Sequence, residues 1–243
     1  MKRELLIFNL LFGATAISTI GNSSNFNFSG WRIGSFIGYS QTHVKSADTL
    51  KTDYNVNNML AMNGTYTKAS LSGRNARIGF YGEYGHQHKS RYLGVEAEGI
   101  LQNIKNSKKT DTPQAAGVAS SHNITATLKD TYALSLKGGY VFNPDSLIYL
   151  KAGIIFSRWN ISSQYPYLIG NPLVNPATYT TSKRQFGLLL GTGIEKALND
   201  NLIAGAEVSY AQYKKISYSH PHMNQSSISP SAFSFNLKLS YKI

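Results

Sequence analysis

The first residues that could carry chemistry are six histidines: His43, His86, His88, His122, His220 and His222. His86-x-His88 and His220-x-His222 each place two imidazoles on one side of an extended chain, which is half of a metal site. Neither pair has an Asp or Glu beside it. The strands assigned below put the two pairs at opposite rims, so they read as solvated turn and loop histidines. Ser121-His122 and Ser219-His220 are the adjacent nucleophile–base candidates for acyl chemistry. Both fall in expected loops, without an acidic orienter nearby. Gly138-Gly139 and the Gly191/Gly193 pair lack the strand-to-helix context of a phosphate-binding loop. With no cysteine, there is no disulfide framework and no cysteine-rich zinc site. The sequence therefore assigns no catalytic residue, no metal ligand and no cofactor, and the chain reads as a non-enzyme.

The elements that must position anything here have period two. Phe233, Phe235, Leu237, Leu239, Tyr241 and Ile243 alternate with Ser234, Asn236, Lys238, Ser240 and Lys242. A helix would scatter both sets around its surface, so this is a strand. The pattern recurs around Trp31–Tyr39, Ala76–Tyr84, Leu93–Leu101, Tyr132–Phe142, Ile148–Phe156, Phe186–Ile194 and Leu202–Tyr210. That makes eight strands of roughly ten residues, the length a tilted strand needs to cross a bilayer. Phe36, Ile155 and Leu189 break the pattern by sitting on polar faces.

The connections alternate in length. Long polar stretches run from Gln41 to Gly73, Asn103 to Ala126, Ser162 to Ser182 and Ile216 to Ser231. Short turns lie at His86–Lys89, at Asn143-Pro144-Asp145-Ser146 and at Asn199-Asp200-Asn201. This is the arrangement of an all-β, eight-stranded antiparallel up-and-down transmembrane β-barrel, with four long external loops and three short periplasmic turns.

Residues 1–18 read as a signal peptide: basic Lys2 and Arg3, then an apolar run from Leu5 to Phe12, then small residues. Residues 19–29 would be a short N-terminal periplasmic segment and 30–243 the barrel domain. No later run reaches the ~18 apolar residues of a spanning helix, so a membrane-embedded mature chain must be a closed barrel. Charged residues are only 15% of the chain, below the roughly 25% of soluble domains. The net charge of +12 invites a nucleic-acid reading. Export excludes that partner, and much of the excess lies in expected loops, at Lys45, Lys51, Lys68, Lys105, Lys108, Lys109, Lys214 and Lys215. Those lysines could meet lipopolysaccharide phosphates or anionic host glycans.

Face composition decides which side is inside. The polar face carries many glycines, with Arg32, Arg77, Lys137, Lys151 and Lys238 against Glu83, Glu96, Glu98, Glu195 and Glu207. Small residues and balanced charge suit a narrow lumen filled by salt bridges. The apolar face ends in two aromatic bands, as lipid–water interfaces favour. Trp31, Tyr84, Tyr140, Phe142 and Tyr241 lie toward the periplasm, and Tyr39, Tyr132, Phe156, Phe186, Tyr210 and Phe233 toward the outside.

Gly30-Trp31-Arg32-Ile33-Gly34 with Gly38-Tyr39-Ser40 resembles the first strand of the opacity-protein, OmpA-like outer-membrane β-barrel family. The stretch Gly191–Leu202, with its glycine-rich strand and Asn-Asp-Asn turn, resembles the same family, and Ala206-Glu207-Val208-Ser209-Tyr210 continues the match. The chain departs from the usual terminal aromatic by ending Tyr241-Lys242-Ile243. The resemblance implies an integral, surface-exposed outer-membrane protein of a Gram-negative bacterium, without shared catalytic residues.

The functional expectation is a surface protein that presents its loops for adhesion or another surface interaction. Its partners would be outer-membrane lipids, lipopolysaccharide and a host or extracellular ligand. The alternatives are a small restricted porin-like channel and a lipid A modifying outer-membrane enzyme. A soluble carrier is the competing fold, since its barrel would turn the apolar face inward. The chain should sediment with outer membranes and migrate faster on gels before boiling than after; recovery in the aqueous fraction would instead identify a carrier.

Overall fold

The computed structural model describes residues 26–50, 66–112, 120–165, 177–220 and 223–243. The expected signal peptide and residues 19–25 lie outside the described residues. Ten strands follow: β1 (Gly30–Leu50), β2 (Tyr66–His88), β3 (Arg91–Leu101), β4 (Ile104–Thr112), β5 (Ser120–Asn143), β6 (Ser146–Tyr165), β7 (Ala177–Ala197), β8 (Leu202–Tyr213), β9 (Ile216–His220) and β10 (Met223–Lys242). Neighbours pair antiparallel, and β1 pairs with β10, so the sheet closes on itself. Both β3 and β4 pair with β5, and both β8 and β9 pair with β10. Each of these two pairs is one stave interrupted by two residues, Gln102-Asn103 or Lys214-Lys215. The ring therefore has eight staves.

The short turns sit at one end. Lys89-Ser90 links β2 to β3, with Lys89 at a φ of 54°. Pro144-Asp145 links β5 to β6. Between β7 and β8, the Asn199 side chain accepts from the Asn201 and Leu202 amides at 3.0 and 2.8 Å. An Asn oxygen held this way replaces a backbone acceptor and fixes the reversal.

At the other end the structure departs from the sequence expectation. Residues 41–50, 66–73, 104–112 and 120–126, expected as loop, continue as strand. The full-length staves reach 20 to 24 residues. At about 3.4 Å per residue, these run to about 70 Å or more, against an apolar band about 25 Å tall. The alternation inverts beyond the outer aromatics, which explains the misreading. Below them, Trp31, Ile33, Ile37 and Tyr39 face out while Arg32 and Ser40 are buried. Above them, Gln41 and Lys45 are exposed while Val44 is buried. The inner face of this outer section gathers Val44, Leu71, Ile104, Ile124, Leu128, Trp159, Ile161, Ile216 and Ile228 into one apolar cluster. Isolated apolar residues two apart in a polar stretch look like loop. Of the apparent exceptions on polar faces, Ile155 and Leu189 are buried members of this cluster, and Phe36 is buried with Tyr81 and Ile100 in a separate one.

Two seams accompany the inversion. The β2–β3 ladder stops at Ile78↔Leu101, and the β7–β8 ladder at Gly187↔Tyr213. Beyond these levels β9, β10, β1 and β2 form one four-stranded sheet. β4, β5, β6 and β7 form another. The outer section is thus two sheets facing each other over an apolar filling. At the β2/β4 seam the Asn75 amide of β2 donates to the Asn103 carbonyl at 2.7 Å, and the Thr42 hydroxyl of β1 reaches across to Asn106 of β4 at 2.7 Å. A bulge between Leu128 and Thr131 shifts the phase of β5, so that Ile124, Ala126 and Leu128 point inward above it and Thr131 and Ala133 below it.

Leu134 and Leu188 lie on the lipid-facing band, 48% and 67% exposed. Leu134→Arg and Leu188→Arg should each destabilise the barrel by roughly 2–4 kcal/mol in lipid vesicles, measured by denaturant unfolding. Ser72→Arg, on the outward face above the band, should change stability by less than about 0.5 kcal/mol.

Candidate functional site

The lumen is built by inward positions of all the staves. Arg32 of β1 reaches Glu83 of β2 at 2.5 Å and Glu195 of β7 at 2.6 Å. Lys137 of β5 reaches the same two carboxylates at 2.9 and 2.7 Å. Together they form a ring of two cations and two anions. Above it, Lys151 of β6 binds Glu96, Glu98 and Glu207 at 2.9, 2.9 and 2.8 Å. Lys238 of β10 binds Glu96 at 2.6 Å and Glu207 at 3.3 Å. Lys137 lies 3.5 Å from Glu96 and joins the two groups. All ten charged residues assigned to the polar face from sequence are at least 92% buried.

Three tyrosines complete this layer. Tyr92 donates to Glu83 at 2.6 Å, and Tyr149 donates to Glu207 at 2.9 Å. The Lys137 ammonium sits 3.9 Å from the Tyr149 ring centroid, and Lys238 lies 4.1 Å from that of Tyr81. Glycine makes room for the rings: a Cβ on Gly34 would lie 2.6 Å from the Tyr81 ring. The five carboxylates are all held by cations, which leaves none of them a free base. Glu96, Glu98 and Glu207 cluster closely enough to hold a metal ion. Lys151 and Lys238 occupy that position instead.

Arg77 is the exception among the cations. It donates to Ser234 at 2.7 Å and faces the Phe36 ring, with 5.2 Å to the centroid. No carboxylate lies within 4.0 Å of it among the described residues. An enclosed void of about 10 Å³ beside it is lined by Glu98, Gln102, Ser209 and Tyr213, among others. That is room for about one water. Above the void the apolar cluster begins, with Trp159 edge-on to Tyr213 at 5.5 Å.

The opposite mouth is closed by residues that sequence reasoning passed over. Phe26 and Phe28 precede β1 and pack with Tyr92, Leu147, Tyr149, Ala197 and Ile203. The Phe26 amide donates to the Pro144 carbonyl at 2.9 Å, and the Phe28 amide to the Gln87 side chain at 2.8 Å. The only sequence signal was two aromatics spaced by two, immediately before the first strand.

The structure does not bring the other candidates together as a site. His86 and His88 are exposed at the short-turn end, and His220 ends β9 at the far end. His222 lies outside the described residues. Ser121-His122 and Ser219-His220 are on β5 and β9, not in loops. The register places Asp111 opposite Ser121, an acidic neighbour that sequence spacing did not supply. Of the expected loop lysines, Lys45, Lys105 and Lys108 are exposed on strands, and Lys51 lies outside the described residues.

The comparisons with known proteins agree with this architecture. A family model described as outer membrane protein beta-barrel domain matches residues 10–242, and the chain belongs to that family. Its place is the bacterial outer membrane. The outer membrane protease OmpT from Escherichia coli is similar in fold, with a TM-score of 0.53 at 11% identity, covering 88% of this chain and 96% of that one. The outer membrane protein OprG from Pseudomonas aeruginosa has a TM-score of 0.52 at 13% identity, covering 90% and 99%. The attachment invasion locus protein Ail of Yersinia pestis has a TM-score of 0.37 at 13% identity, covering 88% and 99%. No curated protein sequence matches the chain.

Removing Lys137 leaves Glu83 and Glu195 buried with Arg32 as their one remaining cation among the described residues. Lys137→Met should cost roughly 3–5 kcal/mol in unfolding experiments. The double variant Lys137→Met/Glu195→Met should lose clearly less than the sum of its single variants. Additive losses would mean that the two groups do not interact.

Proposed function

For this member of the outer-membrane β-barrel family, we propose a non-conducting, non-enzymatic surface protein. Its barrel is a closed stalk, and its role is to present the outer hairpins for adhesion or another surface interaction. The observation that carries this reading is the stacking of three fillings along one lumen. Phe26 and Phe28 fill the short-turn mouth, ion pairs fill the middle and the apolar cluster fills the outer section. An eight-stranded barrel has interior width for little beyond side chains. On this reading residues 1–18 are the export signal and 19–29 lead into the barrel. Binding partners engage the connecting segments and the outer sheets, while lipopolysaccharide surrounds the barrel at the rim.

OmpT is a protease, so its fold accommodates catalysis. Support for the non-enzymatic reading comes from the lumen carboxylates, each engaged by a lysine or arginine. A restricted channel would need a continuous wet path, and the enclosed void of about 10 Å³ beside Arg77 has room for about one water.

Purified protein in planar bilayers should give no stable unitary currents. Stable, reproducible currents would establish the channel reading instead. Cells displaying the protein should adhere to glycan-coated or host-cell surfaces, and replacing 51–65, 113–119 and 166–176 by short turns should remove that adherence while the barrel still folds. Adherence unchanged by this replacement would remove the connecting segments from the role.

A further inference from the structure

On the lipid-facing wall, Tyr132 of β5, Phe156 of β6 and Phe186 of β7 stand directly opposite one another. All three are well exposed. They form an unbroken aromatic rung at the outer edge of the apolar band, the level of lipid headgroups. The next outward rung on the same face is Arg158 opposite Arg184. Like charges directly opposite on neighbouring strands repel, and their cross-strand position holds them together. Asp130 lies 3.9 Å from Arg158, the one carboxylate within 4.0 Å of this group among the described residues.

A third cation completes the group. The Lys214 amide donates to the Phe186 carbonyl at 3.0 Å, which fixes Lys214 beside the aromatic rung. Its ammonium lies 5.3 Å from the Phe186 ring centroid. Lys214 is in the break between β8 and β9, and the β7–β8 ladder stops at Gly187↔Tyr213. Arg184 therefore faces a notch on one side, with no strand hydrogen-bonded there. Exposed Lys183 and Lys215 flank it. The wall made by β10 and β1 differs. Above Phe233 and Tyr39 it presents Ser231, Gln41 and His43.

We propose that Arg158, Arg184 and Lys214 clamp a phosphate carried on an outer-leaflet lipid headgroup, the phosphorylated sugar of lipid A. Two guanidinium forks at opposed strand positions and the Lys214 ammonium beside the Phe186 ring share one rim, where a dianionic group would relieve their repulsion. The aromatic rung beneath takes the sugar face and the first acyl carbons. Asp130, 3.9 Å from Arg158, offsets part of this positive charge. The site rests on the outer-membrane placement and not on the closed lumen, so a conducting barrel would leave it untouched.

The test measures binding of lipid A to the full chain in phosphatidylcholine nanodiscs. The probes are the bisphosphorylated form and its dephosphorylated counterpart, with inorganic phosphate as competitor. The parent should prefer the phosphorylated form by about tenfold or more. The R158Q/R184Q variant and, separately, K214Q should lose most of that preference. R74Q, an exposed arginine on another stave, should bind within about twofold of the parent. Heat-modifiable migration confirms that each variant is folded, and K214Q carries the test if the double variant is not. Equal binding of the dephosphorylated form would overturn the proposal. So would parent-like binding by folded R158Q/R184Q or by K214Q, or an equal loss in R74Q. Full displacement by inorganic phosphate would assign the clamp to a free anion and overturn the lipid assignment.

Discussion

A stave in a closed barrel keeps one face inside and one outside along its whole length, but the medium outside changes from lipid to water partway up. In lipid the outward face must be apolar, and burying it against protein is not what drives folding there. In water the outward face is polar, and cohesion must come from the inward face. The chain meets both demands by exchanging the character of its faces at the outer aromatics. Below them Leu188 and Leu134 face out and Lys137 and Glu195 face in. Above them Lys45 and Lys105 face out and Val44 and Ile104 face in. The seams, the bulge at Leu128–Thr131 and the breaks at 102–103 and 214–215 all fall near this exchange. Each lets the outer section repack as two sheets over an apolar filling, while the inner section stays a ring.

The inner section solves a different problem. Charges removed from water are costly, and the five carboxylates are tolerable only because Arg32, Lys137, Lys151 and Lys238 bind them as one connected set, with Arg77 buried nearby. Lys137 binding Glu83, Glu195 and Glu96 provides the connection, so that no carboxylate depends on a single partner. Its consequence is specificity of register. A slip of one residue on any stave would turn a charge into lipid and a leucine into the network. The tyrosines fill the space that lysines alone would leave, and the inward glycines keep the wall thin enough for them. Satisfying the buried charge fills this section with side chains, and Phe26 and Phe28 pack at its short-turn end.

The staves inside the membrane were legible in the sequence because lipid enforces strict alternation there. All ten lumen charges and both aromatic bands follow from that single periodicity. Their partners did not follow, because Arg32 and Glu195 are 163 residues apart and meet only through ring closure. The outer halves of the staves read as loop, since Val44 or Ile228 amid Ser, Thr and Lys gives too sparse a signal. The seams were invisible for a related reason: Gln102-Asn103 and Lys214-Lys215 are ordinary polar dipeptides. The paired arginines at the rim lie in different strands with no local pattern, so only the register between β6 and β7 reveals them.

The exchange of faces can be read directly, because the chain has two tryptophans, one on each side of the wall. Trp31 is 61% exposed on the lipid-facing band, and Trp159 is fully buried within the outer apolar cluster. The decisive measurement is fluorescence quenching of the single-tryptophan variants Trp159→Phe and Trp31→Phe in vesicles of brominated lipid, with aqueous iodide as a second quencher. Bromolipid should quench Trp31 strongly, and neither agent should quench Trp159 appreciably. Bromolipid quenching of Trp159, or its ready quenching by iodide, would contradict the exchange of faces.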